Sequence, residues 1–395
     1  GAVYGGLLER PNPKLPGGPF KNTGNTDIVF HAGQLLALWW MGGEVYAVAL
    51  PELQTLGIQD YGGKLRRGMT AHPKVDPRTG ELVFIDYGPW APYMTCGTVD
   101  ATGELHHQVS VGLSESSLQH DMAITRDDAV LIDPAMAVDR SLRGVGSAKV
   151  RFYRDRGTRL GLLPRRQQTR GQTPDHTAAV QWFTAKPCYM YHTINAWEQG
   201  DEVVVIGCRI ADPLVGDPNN PKQAPTVPCL AHLRIEPYLY RWVLNRKTGL
   251  VQETQLDDAL TEFPRINDQF LGVQSRYAYN PRVKQGSTLL FDGFVKYDLE
   301  TGGSESHAYA PGWHGGEVVF APRDGATEED DGYLLSYVSE FESGRSQVHV
   351  WDARRPSDGP IARIDLPQRV PEGFHAEWVP ATKAATSRPL PGSAQ

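Results

Sequence analysis

Four stretches of this chain repeat one turn signature. Asp76-Pro77-Arg78-Thr79-Gly80, Asp100-Ala101-Thr102-Gly103, Asn245-Arg246-Lys247-Thr248-Gly249 and Asp298-Leu299-Glu300-Thr301-Gly302 each open on a short carboxylate or amide and close on glycine. The opening side chain can accept a backbone N–H ahead of it, and the glycine takes positive φ without a Cβ clash. This is the chemistry of tight hairpins, so strands are expected on both sides of each turn. Strand-like runs do occur at 81–87, 129–132, 202–206, 288–291, 317–320, 333–338 and 347–351. They are short, rich in β-branched and aromatic residues, and bounded by Gly, Pro, Asp or Asn. With 41 glycines and 30 prolines among 395 residues, a coiled coil or helical bundle is excluded. The glycines lack the three-residue period of collagen. A 40% apolar and 9% aromatic content provides a large core, which excludes disorder.

Helical periodicity is scarce, and 256–260 and 238–244 are the best short helix candidates. The longest loop, 211–228, is too proline-rich for a sheet interior and reads as a functional or capping loop. The acidic tract 328–331 reads as a solvated turn. Many short strands with regular turns predict an all-β fold, a β-propeller ahead of a double sandwich. The expected organisation is one domain over 1–380 and a flexible tail over 381–395. In a propeller, side chains far apart in sequence meet on the axis.

The net charge is −7 and no basic run is present, which argues against a nucleic-acid partner. The longest apolar stretch, 28–41, is interrupted by His31, Gly33 and Gln34 and falls short of the ~20 residues that span a bilayer. No signal-peptide pattern opens the chain, so a soluble, cytoplasmic protein is expected. Cys96, Cys188, Cys208 and Cys229 include no C-x-x-C pair and read as reduced, buried thiols. No P-loop, G-x-G-x-x-G, H-E-x-x-H or G-x-S-x-G motif is present. A carboxylate pair for a propeller hydrolase stays open, but spacing identifies none.

Four of the twelve histidines stand out by context. His72 lies in TAHPK, His120 in LQHDMAIT, His192 in MYHTINAW and His375 in GFHAEW, each in an apolar or small-residue setting. Each would come from a different blade. Four neutral imidazoles on an axis can hold iron, zinc or copper.

The strings around these histidines resemble one family, the carotenoid cleavage oxygenases, which includes carotenoid, apocarotenoid and stilbene cleaving enzymes. The matching strings are NTGNTDIVFHAGQLLAL (22–38), MTAHPKVDPRTGEL (69–82), LQHDMAIT (118–125), YHTINAWE (191–198), TEFPRIN (261–267), RYAY (276–279), GGEVVFAPR (315–323), EEDDGYLLSYV (328–338) and VPEGFHAEWVP (370–380), in family order. The resemblance implies a seven-bladed propeller with a helical and loop cap over an apolar substrate tunnel. It implies a non-haem Fe(II), Fe(2+), held by His72, His120, His192 and His375. It also implies two glutamates behind the histidines, Glu262 in TEFPRIN and Glu317 in GGEVV, each accepting an outer imidazole N–H to fix the tautomer and orient the ring. The implied reaction is cleavage of a conjugated C=C bond of a carotenoid, apocarotenoid, stilbene or alkenylphenol by O₂, giving two carbonyl products. The enzyme is then an oxidoreductase whose partners are O₂ and a lipophilic or aromatic alkene. Trp39, Trp40, Tyr191, Trp197, Phe263 and Trp378 are candidates to line the tunnel. The segment 238–244 could serve as a peripheral membrane contact or as ordinary core.

Two departures from the family pattern carry expectations of their own. A third glutamate is usual just after the LLAL string, and Trp40 stands there instead. His120 is then expected to lack its carboxylate, with Glu44 a substitute only if the loop is re-registered. No lysine lies between Lys21 and Lys64 to meet a stilbene phenol. Family members also carry further strands upstream of NTGNT, so the expectation is either a truncated chain or an incomplete first blade. If these departures abolish iron binding, the alternative is a propeller that binds an apolar ligand without catalysis.

Overall fold

The computed structural model describes residues 22–40, 42–144, 147–167, 171–173, 175–213, 235–286, 288–371 and 373–385. They are almost entirely β-strand. Four antiparallel four-stranded sheets follow one another along the chain. The first contains Asp27–His31, Gln34–Leu38, Tyr46–Val48 and Thr55–Ile58. The second contains Lys74–Val75, Leu82–Tyr87, Met94–Val99 and Leu105–Ser110. The third joins Ala123–Ile124, Asp128–Asp133, Thr158–Pro164 and Gln181–Ala185, with the hairpin Met136–Gly144 and Ser147–Phe152 inserted between its middle strands. The fourth runs from Tyr189–Gln199 through Glu202–Ile210 and Pro237–Asn245 to Val251–Leu260. An eight-stranded sheet spans Tyr277–Lys284 to Ala362–Asp365. Its two meanders are joined through the short strand Trp313–Gly315, which pairs with Leu290–Asp298 on one side and Gly332–Glu340 on the other.

The turn signature behaves as its chemistry requires. Gly80 N–H donates to the Asp76 carbonyl at 2.8 Å and Gly249 N–H to the Asn245 carbonyl at 2.9 Å. Both glycines take positive φ, 72° and 73°. The opening side chains accept the next free N–H groups, Arg78 onto Asp76 at 3.0 Å and Thr248 onto Asn245 at 2.9 Å.

The sheets pack face against face. One apolar cluster joins the first and second sheets through Leu36, Leu38, Leu82 and Phe84. The next joins the second and third through Val83, Ile85, Val130's neighbour Leu131 and Leu163. A third joins the third and fourth through Leu160, Phe183, Met190 and Trp242. The buried alternation in each strand thus has two faces to cover, which is why strands such as Leu82–Tyr87 are buried along their whole length.

The two helix candidates are strands. Pro237–Asn245 pairs residue for residue with Glu202–Ile210, and Val251–Leu260 pairs with it in turn. Leu239, Trp242 and Leu244 are buried while Tyr238, Tyr240 and Val243 are partly exposed, close to a two-residue period. The Asn245–Gly249 turn reverses the chain between them, which a helix would not allow. The segment 238–244 is therefore sheet core. The acidic tract is pinned rather than free: Asp330 binds Lys296 at 2.7 Å, and Glu329 accepts the backbone N–H groups of Arg276 and Tyr277.

Of the proline-rich loop, residues 214–228 lie outside the described residues, as do Cys229 and 386–395 of the tail. Ala381–Ala384 forms one helical turn. Among the described residues no helix is long and apolar enough to cross a membrane. Cys96, Cys188 and Cys208 are buried free thiols, and burial pushes Cys96 up to about 12 and Cys188 up to about 11.

Candidate metal centre

Three of the four histidines enter at edge strands of successive sheets. His72 precedes Lys74–Val75 of the second sheet and His120 precedes Ala123–Ile124 of the third. His192 lies within Tyr189–Gln199 of the fourth, where the register with Glu202–Ile210 shifts on both sides of Thr193. Such a bulge re-aims a side chain that regular pleating would point elsewhere. His72 itself sits in the left-handed region at φ 68°, a conformation that non-glycine residues hold only under constraint. His375 arrives differently, on an irregular segment after the last strand, Ala362–Asp365.

The structure brings all four rings together. Ring centroids of His72 lie 4.8, 5.0 and 4.5 Å from those of His120, His192 and His375. His192 lies 5.0 Å from His120 and 4.8 Å from His375. The Nε2 atoms of His72 and His120 are 3.2 Å apart, and those of His120 and His192 are 3.3 Å apart.

The outer ring nitrogens meet carboxylates. His192 Nδ1 donates to Glu262 Oε2 at 2.5 Å, and the same oxygen accepts the Phe263 N–H at 2.5 Å. Phe263 holds φ at 55°, which turns its N–H back onto the preceding side chain. His375 Nδ1 donates to Glu317 Oε1 at 2.9 Å, and Glu317 Oε2 accepts the Ala376 N–H at 2.8 Å. His72 Nδ1 lies 3.3 Å from Asp27 Oδ2, which also accepts the His72 backbone N–H at 3.1 Å. A proton held on Nδ1 by a carboxylate leaves Nε2 as a bare lone pair. Lone pairs that converge within 3.3 Å repel unless a cation or a shared proton lies between them. His72, His120 and His192 each offer one ligand atom, all within 4.8 Å of one another, a grouping that could hold a metal ion. The donor set is all imidazole, which suits a first-row transition metal.

His120 differs from the other three. Its Nδ1 is buried without a partner, and its ring packs against the Trp40 indole at 5.1 Å. Trp40 donates Nε1–H to the Gln119 carbonyl at 2.9 Å and its own N–H to Thr26 Oγ1 at 3.0 Å. Glu44 does not substitute: it is exposed and accepts the Tyr46 hydroxyl at 3.1 Å.

Burial, then the neighbouring imidazoles, hold His72 and His120 well below the ordinary histidine value, so both rings are neutral. Burial also pulls His192 down, but the Glu262 carboxylate overrides it and His192 lies above its ordinary value. Burial would raise Glu317, but Arg265 and His375 hold it below the usual range. Asp121 is likewise kept low against burial by Lys74, which it meets at 2.7 Å. Its other oxygen accepts the Thr193 N–H and hydroxyl at 2.7 and 2.8 Å, so Asp121 ties the His120 loop to the His192 strand.

Asp27, Asp121 and Arg265 were not singled out from the sequence. The Asp27 signal was available, since it shares the inward face of DIVFH with Val29 and His31. Arg265 spans from Glu317 Oε2 at 3.6 Å to the Ala376 carbonyl at 3.4 Å and Glu377 at 3.6 Å. Of the expected tunnel aromatics, Trp40 and Tyr191 pack on His120, and Phe263 packs on His192 and His375 at 4.8 and 4.9 Å. Trp197 is buried in the core between the fourth and last sheets, and Trp39 is partly exposed. Trp378 lines a cavity of about 300 Å³ that reaches His72, His192 and His375 past Lys74, Arg265 and Glu377. Its lining mixes those charged groups with apolar side chains such as Val29, Ile194, Ile266 and Leu271.

Comparison with known proteins gives this geometry a context. Residues 2–380 match the family of the retinal pigment epithelial membrane protein. The carotenoid cleavage oxygenase of Mycobacterium tuberculosis is 31% identical over 435 residues, covering 95% of this chain and 80% of the relative. The chain belongs to the carotenoid cleavage oxygenase family. Within it, the carotenoid 9,10(9',10')-cleavage dioxygenase 1 of Pisum sativum is 36% identical over 379 residues, and the chain spans 66% of that relative's length. The lignostilbene dioxygenase of Pseudomonas brassicacearum superposes with a TM-score of 0.77 at 27% identity, over 91% of this chain and 76% of that one. The fold is that of these oxygenases, a β-propeller.

Proposed function

We propose that this carotenoid cleavage oxygenase relative is a non-haem Fe(II) dioxygenase, with His72, His120, His192 and His375 as the metal ligands. The observation that carries the reading is the convergence of imidazole Nε2 atoms at 3.2 and 3.3 Å behind rings pinned by carboxylates. When bound, the iron supplies the site for activating O₂. The remaining work falls to the chain. Glu262 and Glu317 keep protons on the outer nitrogens of His192 and His375, and Asp27 fixes His72 through its backbone N–H and lies beside its ring. Phe263, Tyr191 and Trp40 surround the centre with aromatic surface, which suits a conjugated hydrocarbon and excludes water.

The overall change is balanced without a further reductant. The C=C and O=O bonds break and two C=O bonds form, giving two carbonyl products. No group is required to accept or donate a net proton. A carotenoid or apocarotenoid is the first substrate class, on the likeness to the pea enzyme. A stilbene or alkenylphenol is the second, on the likeness to the lignostilbene dioxygenase. Buried free thiols at Cys96, Cys188 and Cys208 suit a reducing compartment such as the cytoplasm.

The test is anaerobic loading with Fe(II), followed by oxygen-uptake measurements and product mass spectrometry over carotenoids, apocarotenoids and stilbenes. Uptake coupled to paired carbonyl products supports the reading. An iron-loaded protein that consumes no O₂ with any of them refutes it.

A further inference from the structure

The metal centre is asymmetric in a way its four similar ligands do not suggest. Two imidazoles donate their outer N–H to glutamates, His192 to Glu262 and His375 to Glu317, and His72 Nδ1 lies 3.3 Å from an Asp27 oxygen. The fourth, His120, faces an indole, and its Nδ1 is buried with nothing to accept its proton. Trp40 is not a loose neighbour. It is fixed at both ends, by its backbone N–H on Thr26 and by its ring N–H on the carbonyl of Gln119, the residue before His120.

The two tautomers of His120 therefore have different fates. With the proton on Nε2, the ring can donate to His72 or His192, whose Nε2 atoms lie 3.2 and 3.3 Å away as lone-pair acceptors. That hydrogen bond holds His120 Nε2 away from a metal, while the lone pair it does not reach stays open. To bind a metal through Nε2, His120 must move its proton to Nδ1, where no acceptor waits. A buried donor left unmade carries a cost that the other three ligands do not bear. The ligand is also less basic than one backed by a carboxylate.

We infer that His120 is the weak, exchangeable arm of the metal centre, and that Trp40 sets this by occupying the place beside the His120 ring without offering it an acceptor. Trp40 is thus a positioning residue: it orients the ring by packing and by its bond to Gln119, and it limits metal affinity. The inference rests on the metal-centre reading above and deepens it.

The experiment is a Co(II) titration of the full chain against a competing chelator, with the ligand-field absorption band recorded for each variant. Trp40→Glu supplies an anionic acceptor, Trp40→Gln a neutral one, and Trp40→Leu none. The account expects Trp40→Glu to tighten Co(II) binding by about 10- to 100-fold, the range that such a partner contributes at a metal-bound histidine. Trp40→Gln should fall between, and Trp40→Leu should be no tighter than the native chain. The absorption band of Trp40→Glu should also shift, which a purely structural role would not produce. Far-ultraviolet circular dichroism checks each fold, and Trp40→Gln serves if the charged variant does not fold. Equal affinity of the native chain and both acceptor variants overturns the inference while leaving the metal centre intact. Absence of Co(II) binding in every variant overturns the metal-centre reading with it. Binding by Trp40→Glu alone supports the inference in its strongest form.

Discussion

Glu262→Gln is the substitution that most sharply separates orientation from folding at this centre. Glu262 is 1% exposed, and a single oxygen takes both the His192 Nδ1–H and the Phe263 N–H at 2.5 Å. Its other oxygen has no partner. A glutamine can place its carbonyl oxygen on the same two donors and its amide nitrogen where the idle oxygen sits, so the geometry survives and the charge is lost. Losing a charged partner behind a metal-bound histidine costs about 10- to 100-fold in affinity, which is about 1.4–2.8 kcal/mol. The amide N–H groups also become buried without an acceptor, and each such group costs about 1–3 kcal/mol of stability. The assay is anaerobic Fe(II) competition against a chelator, read beside a thermal melt of the metal-free protein. The expected result is weaker metal binding with unchanged circular dichroism and a modestly lower Tm. In the metal-free variant the His192 ring should titrate lower, because Glu262 is what lifts it against burial. An iron affinity within threefold of the native chain would refute the claim that the Glu262 charge strengthens His192 as a ligand.

Other substitutions have equally direct readouts. His192→Ala should abolish stoichiometric iron binding, whereas His106→Ala, whose ring meets only Asp100 at 2.8 Å near the surface, should leave it unchanged; equal iron content in both refutes the ligand assignment. Arg265→Gln should weaken metal binding several-fold by loosening the His375 segment, with Arg265→Lys partly restoring it, because only the guanidinium reaches Glu317, Glu377 and the Ala376 carbonyl together. Glu317 is held below its usual value near 4.5, so its contribution is fully present above that pH and lost as pH falls through the lowered value. Stability of the native chain should therefore be flat in this term from pH 7 to 5 and fall only in stronger acid. Glu317→Gln should lose that acid-dependent component, as measured by urea unfolding across pH.

The parts of the fold that were legible in the sequence are those whose signal is local. The Asp-or-Asn to Gly turns are read from five residues, and their glycines adopt the expected positive φ. The strands at 82–87 and 128–133 are read from β-branched runs. Misreading 238–244 as helical has a clear cause: the buried Leu239, Trp242 and Leu244 are spaced three and two apart, which departs from a strict two-residue period. The four histidines were legible because each sits in an apolar setting beside a strand. The carboxylates behind them were legible only through family resemblance, since an inward-facing glutamate has no local signature. Asp27 escaped both routes. Its role depends on His72, 45 residues away, being turned toward it by a left-handed backbone. Arg265 escaped for a similar reason, because its partners lie on a segment more than a hundred residues downstream.

The central claim is that four imidazoles, two of them hydrogen-bonded to glutamates, form an iron site that splits an alkene with O₂. Reaction of the iron-loaded protein with isotopically labelled O₂ tests it most directly, using an apocarotenoid and a stilbene in parallel and mass analysis of both products. The account predicts one iron per chain, one labelled oxygen atom in each of the two carbonyl fragments of the accepted substrate, and no product from His192→Ala. Product formation by His192→Ala, or by protein stripped of metal, would contradict it.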